Sequence, residues 1–434
     1  MNAQTYDILI KDTSYIKSDM QVVKHATIAI KEGRLSFLVD GTNLLATQEL
    51  DGSSLLWMPG LVDGHLHTSQ QLLRGRLLDE RPVIWKRINV PFESTLTEQE
   101  SSLSASLAAL EMMKAGTTGF VDVGGRFALS FAQVYEQSGL RGRLSYMAND
   151  NPNAPASLRV TAMDAVGRML DLHTQLTGRV KGYASVTALT AASENMIKQM
   201  ITAAQENGIP FETHMNEYAS EVFEFVERYQ MRPFEYLENE GLLAGPFVAA
   251  HCIFLSEREK EIIQHRGVMV AHCPFSNCGK GVPDTPNLLA RGVAVGFGTD
   301  GSAHGGLDLF KEIRLFRGVM NAVKGVGSAD YAVMDAATLL KMATSNAAGM
   351  LNHTGLGTLV EGAPADLIAL NMDQVHMWPT HNMVNTVVES ASGSDVVHSI
   401  IDGRLVMKDR VVLTLDEEKI RHEAKQWAVA HGLV

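Results

Sequence analysis

His65 and His67 stand one residue apart at the end of a short apolar run, Met58-Pro-Gly-Leu-Val-Asp-Gly-His-Leu-His. In extended backbone the side chains at i and i+2 leave the same face, so both imidazoles can reach one ion. One His-x-His pair carries little weight alone. Three later segments add to it: Thr213-His214-Met-Asn-Glu217, Ala250-His251-Cys and Gly298-Thr-Asp300-Gly, each closing a strand-like run. Imidazole and carboxylate together suit a borderline divalent ion such as zinc. A catalytic ion keeps a position open for water and lowers that water's pKa to ~7. In this scheme His65, His67, His214 and Asp300 are the ligands, and Asp300 also accepts the water proton. His251 steadies the attacking oxygen or serves as a further ligand. Glu217, three residues past His214, can pass a proton to a substrate nitrogen. His304, in the Gly-rich loop after Asp300, is a candidate substrate contact. His272 either lines the same pocket or makes a structural hydrogen bond.

These residues need a scaffold that brings strand ends together. Apolar runs occur at 57–64, 118–123, 143–148, 181–189, 210–215, 246–253, 267–273 and 292–299. Amphipathic stretches separate most of them, for example 98–115, 194–207, 256–265 and 284–291, and Gly116, Gly208, Gly245, Gly267 and Gly292 stand where helix C-terminal caps are expected. Eight strands alternating with helices read as parallel βαβ units and fit a closed (β/α)8 barrel. The competing open sheet lacks any Gly-x-Gly-x-x-Gly after an early strand. In a barrel, chemistry gathers at the C-terminal strand ends. That places His65 and His67 on strand 1, His214 on strand 5, His251 on strand 6, His272 on strand 7 and Asp300 on strand 8.

The two ends of the chain have a different texture. Residues 1–57 alternate as strands do, with a turn at Glu32-Gly33-Arg34, and residues 355–434 return to strand and turn signals before a helix opening at Asp416-Glu-Glu. The expected organisation is α/β: a barrel over 58–354 and a small composite β-sandwich from 1–57 and 355–434. A formal charge of -12 without a basic stripe disfavours nucleic acid. No apolar run approaches the ~18 residues that span a bilayer, and the start lacks a signal-peptide pattern. Three cysteines argue against a disulfide framework and for a reducing cytoplasm. Cys273 and Cys278 read as packed or loop thiols.

Pro59-Gly-Leu-Val-Asp-Gly-His-Leu-His, Leu72-Leu-Arg-Gly, Thr213-His-Met-Asn-Glu, Ala250-His-Cys, His272-Cys-Pro-Phe-Ser-Asn, Gly298-Thr-Asp-Gly and Glu361-Gly-Ala-Pro-Ala-Asp-Leu together resemble the amidohydrolase superfamily. The closest branch is similar to the methylthioadenosine/S-adenosylhomocysteine deaminases and the triazine chlorohydrolases. The resemblance implies one zinc (or iron) ion at positions matching His65, His67, His214 and Asp300, proton-transfer roles for Glu217, His251 and Asp300, and a homo-oligomer. Adenosine-type members use a Pro-x-Glu to hold ribose hydroxyls; Pro91-Phe-Glu93, preceded by Trp85, stands in a similar place. Where they carry a pocket histidine at the end of strand 4, this chain has Thr187. Two-metal relatives place a bridging lysine there, whereas Lys181 lies at the other end of the strand. The loop Cys278-Gly-Lys-Gly-Val-Pro-Asp also departs from the family pattern. The expected activity is metal-dependent hydrolytic deamination of an amino-substituted N-heterocycle, either a purine nucleoside or a free base or pterin. The alternatives are a hydrolase with another leaving group (halide, alkylamine or cyclic amide) and a catalytically silent barrel.

Overall fold

A computed structural model describes residues 5–38, 44–81 and 83–433. Barrel strand 1 is Leu61–His67, strand 2 Thr117–Asp122 and strand 3 Arg141–Leu144. Strand 4 comes in two pieces, Val180–Gly182 and Ala184–Ala188. Strand 5 is Phe211–Met215, strand 6 Phe247–His251 and strand 7 Met269–His272. Strand 8 is again in two pieces, Val295–Phe297 and Asp300–Gly301. Every pairing among them is parallel.

The two broken strands close the ring. The first piece of strand 4 pairs with strand 3 and the second with strand 5; the first piece of strand 8 pairs with strand 7 and the second with strand 1. Two five-stranded half-sheets thus become one (β/α)8 barrel. Gly298 lies at the break in strand 8, where a Cβ would come within 2.7 Å of the His65 carbonyl oxygen. Only glycine lets strand 8 approach strand 1 this closely.

The helices form where the periodicity predicts them: Glu98–Lys114, Glu194–Glu206, Glu257–Arg266 and Thr285–Ala290. Thr97 with Glu100, and Ser256 with Glu259, close capping boxes that satisfy the first amide donors. Gly116, Gly208, Gly267 and Gly292 adopt the left-handed cap conformation. Gly245 does not; Gly241, four residues earlier, takes that role because the preceding helix ends at Asn239.

The apolar run 57–64 serves two sheets. Leu55–Pro59 pairs with Leu367–Asn371 in a nine-stranded sheet, Gly60 turns the chain, and barrel strand 1 starts at Leu61. That larger sheet draws five strands from residues 5–59 and four from 367–412. Its halves close over a shared core that includes Ile8, Ile30, Trp57, Leu367 and Ile400, making the small β-sandwich. Asp416 caps the terminal helix Glu417–Ala430.

Candidate active site

Seven groups singled out in the sequence meet at one mouth of the barrel. Register alignment explains why: His214 lies opposite Ala250, Met215 opposite His251, and Asp300 opposite Leu66. The backbone there is strained. Asn216, His251, Cys252 and Asp300 all have positive φ, between 50° and 69°. Non-glycine residues hold such angles at a cost of ~1–3 kcal/mol each, typically where side-chain aim matters.

One ligand atom from each of His65, His214, His251 and Asp300 lies within 4.8 Å of all the others. His67 joins from the other side, its Nε2 3.1 Å from His214 Nε2 and 3.2 Å from Asp300 Oδ1. Each imidazole of the first three is pinned through Nδ1. His65 Nδ1 is 2.6 Å from Glu212 Oε1, His214 Nδ1 is 2.5 Å from the Thr187 carbonyl, and His251 Nδ1 is 2.9 Å from Asn277 Oδ1. That leaves Nε2 of each for the centre. His65 Nε2 and His251 Nε2 are buried with no hydrogen-bond partner among the described residues. Buried nitrogen atoms without partners are costly. A cation among them supplies the missing partner, so the donor set fits a divalent metal.

The electrostatics of His65, His214 and His251 agree, and those of His67 differ. Burial lowers His65 to about 3 and pushes His214 and His251 well below the usual imidazole range, keeping them neutral as ligands must be. Burial works against charge on His67 too, but the adjacent Asp300 carboxylate outweighs it and raises the imidazole to about 9. Asp300 is held well below the carboxylate range: burial opposes this, and the His67 hydrogen bond with the His304 and His251 imidazoles outweighs it. Burial raises Asp63 to about 7 and Glu212 to about 8. Asp63 accepts from Thr299 Oγ1 at 2.6 Å and thereby ties strand 1 to strand 8.

The cluster opens into a pocket of about 520 Å³ lined by His67, Trp85, Glu93, Glu217, Lys280 and His304, among others. Glu217 Oε1 is 3.8 Å from His251 Nε2, and His304 Nε2 is 4.0 Å from Asp300 Oδ2. Trp85 opens the helical turn Trp85–Asn89 and lines the same pocket. Glu93 is buried there, its Oε1 accepting from Ser69 Oγ and Gln70 Nε2, both at 2.9 Å. Arg87 bonds the Arg81 carbonyl and faces Glu80 rather than Glu93. A second cavity of about 700 Å³ shares Val90, Glu93, Met147 and Thr187 with the first.

His272 takes the structural alternative: its Nδ1 is 2.8 Å from the His251 carbonyl, and the pocket lining does not include it. Thr187 stands at the end of strand 4, and Lys181 at its start bonds the Thr177 carbonyl. Cys273 is buried and Cys278 exposed, both as free thiols.

Sequence reading missed several members. Glu212, two residues before His214, supports His65 from below. Ser276 Oγ donates to Asp300 Oδ2 at 2.5 Å. Lys280 is the largest omission, its Nζ 2.5 Å from Glu217 Oε1. Its carboxylate neighbours hold the ammonium charged against the effect of burial. The one signal was its place between two glycines in the atypical loop after Asn277.

The family model described as "Amidohydrolase family" matches residues 56–406. The chain belongs to the amidohydrolase family. Within it, the chain is 32% identical over 435 residues to the 5-methylthioadenosine/S-adenosylhomocysteine deaminase of Haloarcula marismortui, covering 98% of each. It is also 32% identical over 419 residues to the 5'-deoxyadenosine deaminase of Methanopyrus kandleri, covering 94% of this chain and 95% of that one. Among solved structures, an adenosine deaminase from Xanthomonas campestris with bound zinc matches with a TM-score of 0.93 and 26% identity, covering 99% of this amidohydrolase and 100% of that chain. The atrazine chlorohydrolase of Arthrobacter aurescens, complexed with zinc, matches with a TM-score of 0.88 over 96% of this chain and 99% of the other. At 20% identity, that likeness concerns the fold.

Proposed function

We propose that this amidohydrolase is a metal-dependent hydrolytic deaminase that replaces the amino group of an N-heterocyclic amidine with oxygen and releases ammonia. The observation that carries this reading is Glu217. Its carboxyl lines the pocket beside the imidazole cluster, with Oε1 3.8 Å from His251 Nε2 and 2.5 Å from Lys280 Nζ. An aromatic amidine resists attack until its ring nitrogen is protonated, and a positioned carboxyl group is the means of doing so. The deaminases among the relatives support the same chemistry.

The residues divide the work. His65, His67, His214 and Asp300 hold one divalent ion, zinc by analogy with the neighbouring structures and iron as the alternative, with His251 close enough to join them. When bound, the ion lowers the pKa of its water to ~7. Asp300 takes the proton of the attacking water, and His251 orients that water. Glu217 delivers a proton to the ring nitrogen, the water proton held by Asp300 passes to the amino group, which leaves as ammonia, and the hydroxyl proton left on the carbon returns to Glu217. Thr187 in place of a lysine at the end of strand 4 supports a single ion. Trp85, Glu93 and His304 contact the substrate from the pocket wall. The barrel over 58–354 carries the chemistry on a β unit made from 1–57 and 355–434. Among the described residues no helix is long and apolar enough to cross a membrane. Free thiols on all three cysteines support a cytoplasmic setting, and the family resemblance supports a homo-oligomer.

The test is ammonia release by metal-loaded protein across aminopurines and their nucleosides, aminopyrimidines, pterins and aminotriazines. Turnover with stoichiometric ammonia on at least one is expected. Release of halide or alkylamine with no ammonia from any amino substrate would overturn the reading.

A further inference from the structure

Lys280 is the only lysine or arginine among the described residues lining the pocket. Its side chain is 8% exposed. Nζ donates to Ser276 Oγ at 2.6 Å and forms an ion pair with Glu217, 2.5 Å from its Oε1, with the Tyr218 ring centroid at 5.4 Å. Asp300 Oδ2, at 4.0 Å, is beyond hydrogen-bond reach. An ammonium has three donors. Two face the Ser276 and Glu217 oxygens, no further hydrogen-bond acceptor for Nζ is found among the described residues, and the side chain lines the cavity. A buried charge with an unused donor invites an acceptor from the ligand.

The chemistry of the amidine says which acceptor. Glu217 keeps Oε1 on Lys280 and has Oε2 for the substrate's ring nitrogen, so the ammonium lies next to that nitrogen. Two ring carbons flank it. One carries the amino group, whose lone pair is conjugated into the ring and whose hydrogens repel an ammonium. The acceptor therefore belongs on the other carbon. We infer that Lys280 selects substrates with the array H2N–C=N–C=O, aminoheterocycles whose reacting ring nitrogen is flanked by an oxo group, with Glu217 reading the nitrogen and Lys280 the oxygen. The same contact favours reaction: when hydroxide adds to the amino-bearing carbon, the C=N electron pair moves onto the ring nitrogen as Glu217 protonates it. Density shared with the adjacent oxygen then meets the ammonium. Adenine-type rings present C–H at this place and leave the third donor unmet.

This inference rests on the deaminase reading of Glu217, and the experiment separates the two. Metal-loaded wild type, Lys280→Met and Lys280→Gln are assayed for ammonia release on two matched pairs, isoguanosine with adenosine and cytosine with 4-aminopyrimidine. In each pair an oxo group, with the ring N–H that accompanies it, replaces a C–H. Binding of the corresponding product pairs is measured by calorimetry, and melting temperature and metal content establish that each variant is folded and loaded. Wild type is expected to favour the oxo member of a pair by at least ~10-fold in kcat/KM or product affinity, the equivalent of one charged hydrogen bond. Lys280→Met should bring the ratio close to one, with Lys280→Gln between. A wild-type ratio near one in both pairs overturns the assignment. So does a ratio that survives in Lys280→Met, or in Lys280→Gln should the methionine variant not fold. The deaminase reading stands or falls on the wider panel of amino substrates above; should none of these four release ammonia, the product-binding ratio still decides Lys280.

Discussion

Two polar clusters at opposite ends of the barrel treat their buried atoms in opposite ways. At the N-terminal end, Arg141 of strand 3 donates through Nε to Asp366 Oδ2 at 2.7 Å and through Nη2 to Asp366 Oδ1 at 3.1 Å and Asp402 Oδ1 at 2.7 Å. The Asp402 amide closes the network on Asp366 Oδ1 at 2.9 Å. At the C-terminal end, His65 Nε2 and His251 Nε2 are buried with no hydrogen-bond partner among the described residues. A satisfied network joins parts of a molecule; an unsatisfied one waits for a ligand. The same fold thus separates the residues that hold it together from those that do its chemistry.

Substitutions can break this division. The largest effect is expected at His214: replacement with alanine should abolish turnover and lower metal occupancy while the protein still melts cooperatively. Loss of folding in place of metal would make His214 a structural residue and erase the contrast. The next falls at the other end. Arg141→Met leaves Asp366 buried without its partner, and breaking a buried pair costs ~3–5 kcal/mol. A clear drop in melting temperature is expected, with metal content and kcat of the folded protein kept; a loss of kcat without a loss of stability would contradict it.

Glu217→Gln sharpens the division within the mouth itself. It should fold and keep its metal yet lose at least ~10²-fold in turnover, as removal of a proton-transfer group does. Rate and metal are to be measured on one preparation; near-normal turnover would reduce Glu217 to a loop carboxylate. The smallest effect belongs to Glu93. Its Oε2 has no hydrogen-bond partner among the described residues, and a carboxylate there can take the two hydroxyls of a ribose. Glu93→Ala should cost tens-fold on a nucleoside, about the weight of one to two charged hydrogen bonds, and little on the free base. Equal losses on both would mean that Glu93 reads no sugar.

What could be read from the sequence follows the same line. The barrel strands and the helices at 98–114 and 194–206 carry local period and glycine punctuation, so their places were legible to within a few residues. His65, His67, His214, His251 and Asp300 were legible because each ends a strand, and a barrel sends strand ends to one mouth. The run 57–64 was not, since an apolar stretch does not say that Gly60 divides it between two sheets. Nor were Glu212 under His65 or Lys280 against Glu217. Those contacts join residues far apart in the chain and leave no period behind. The loop that carries Lys280 stood out only by departing from the family pattern, which marks a difference without saying what it does.

The account turns on one ion serving the unpartnered nitrogen atoms. Metal-free protein titrated with zinc, with ammonia release from its best substrate recorded at each addition, tests this most directly. Activity should rise from near zero and level off at one equivalent per chain. Activity that persists without metal, or that climbs to a second equivalent before levelling, would contradict it.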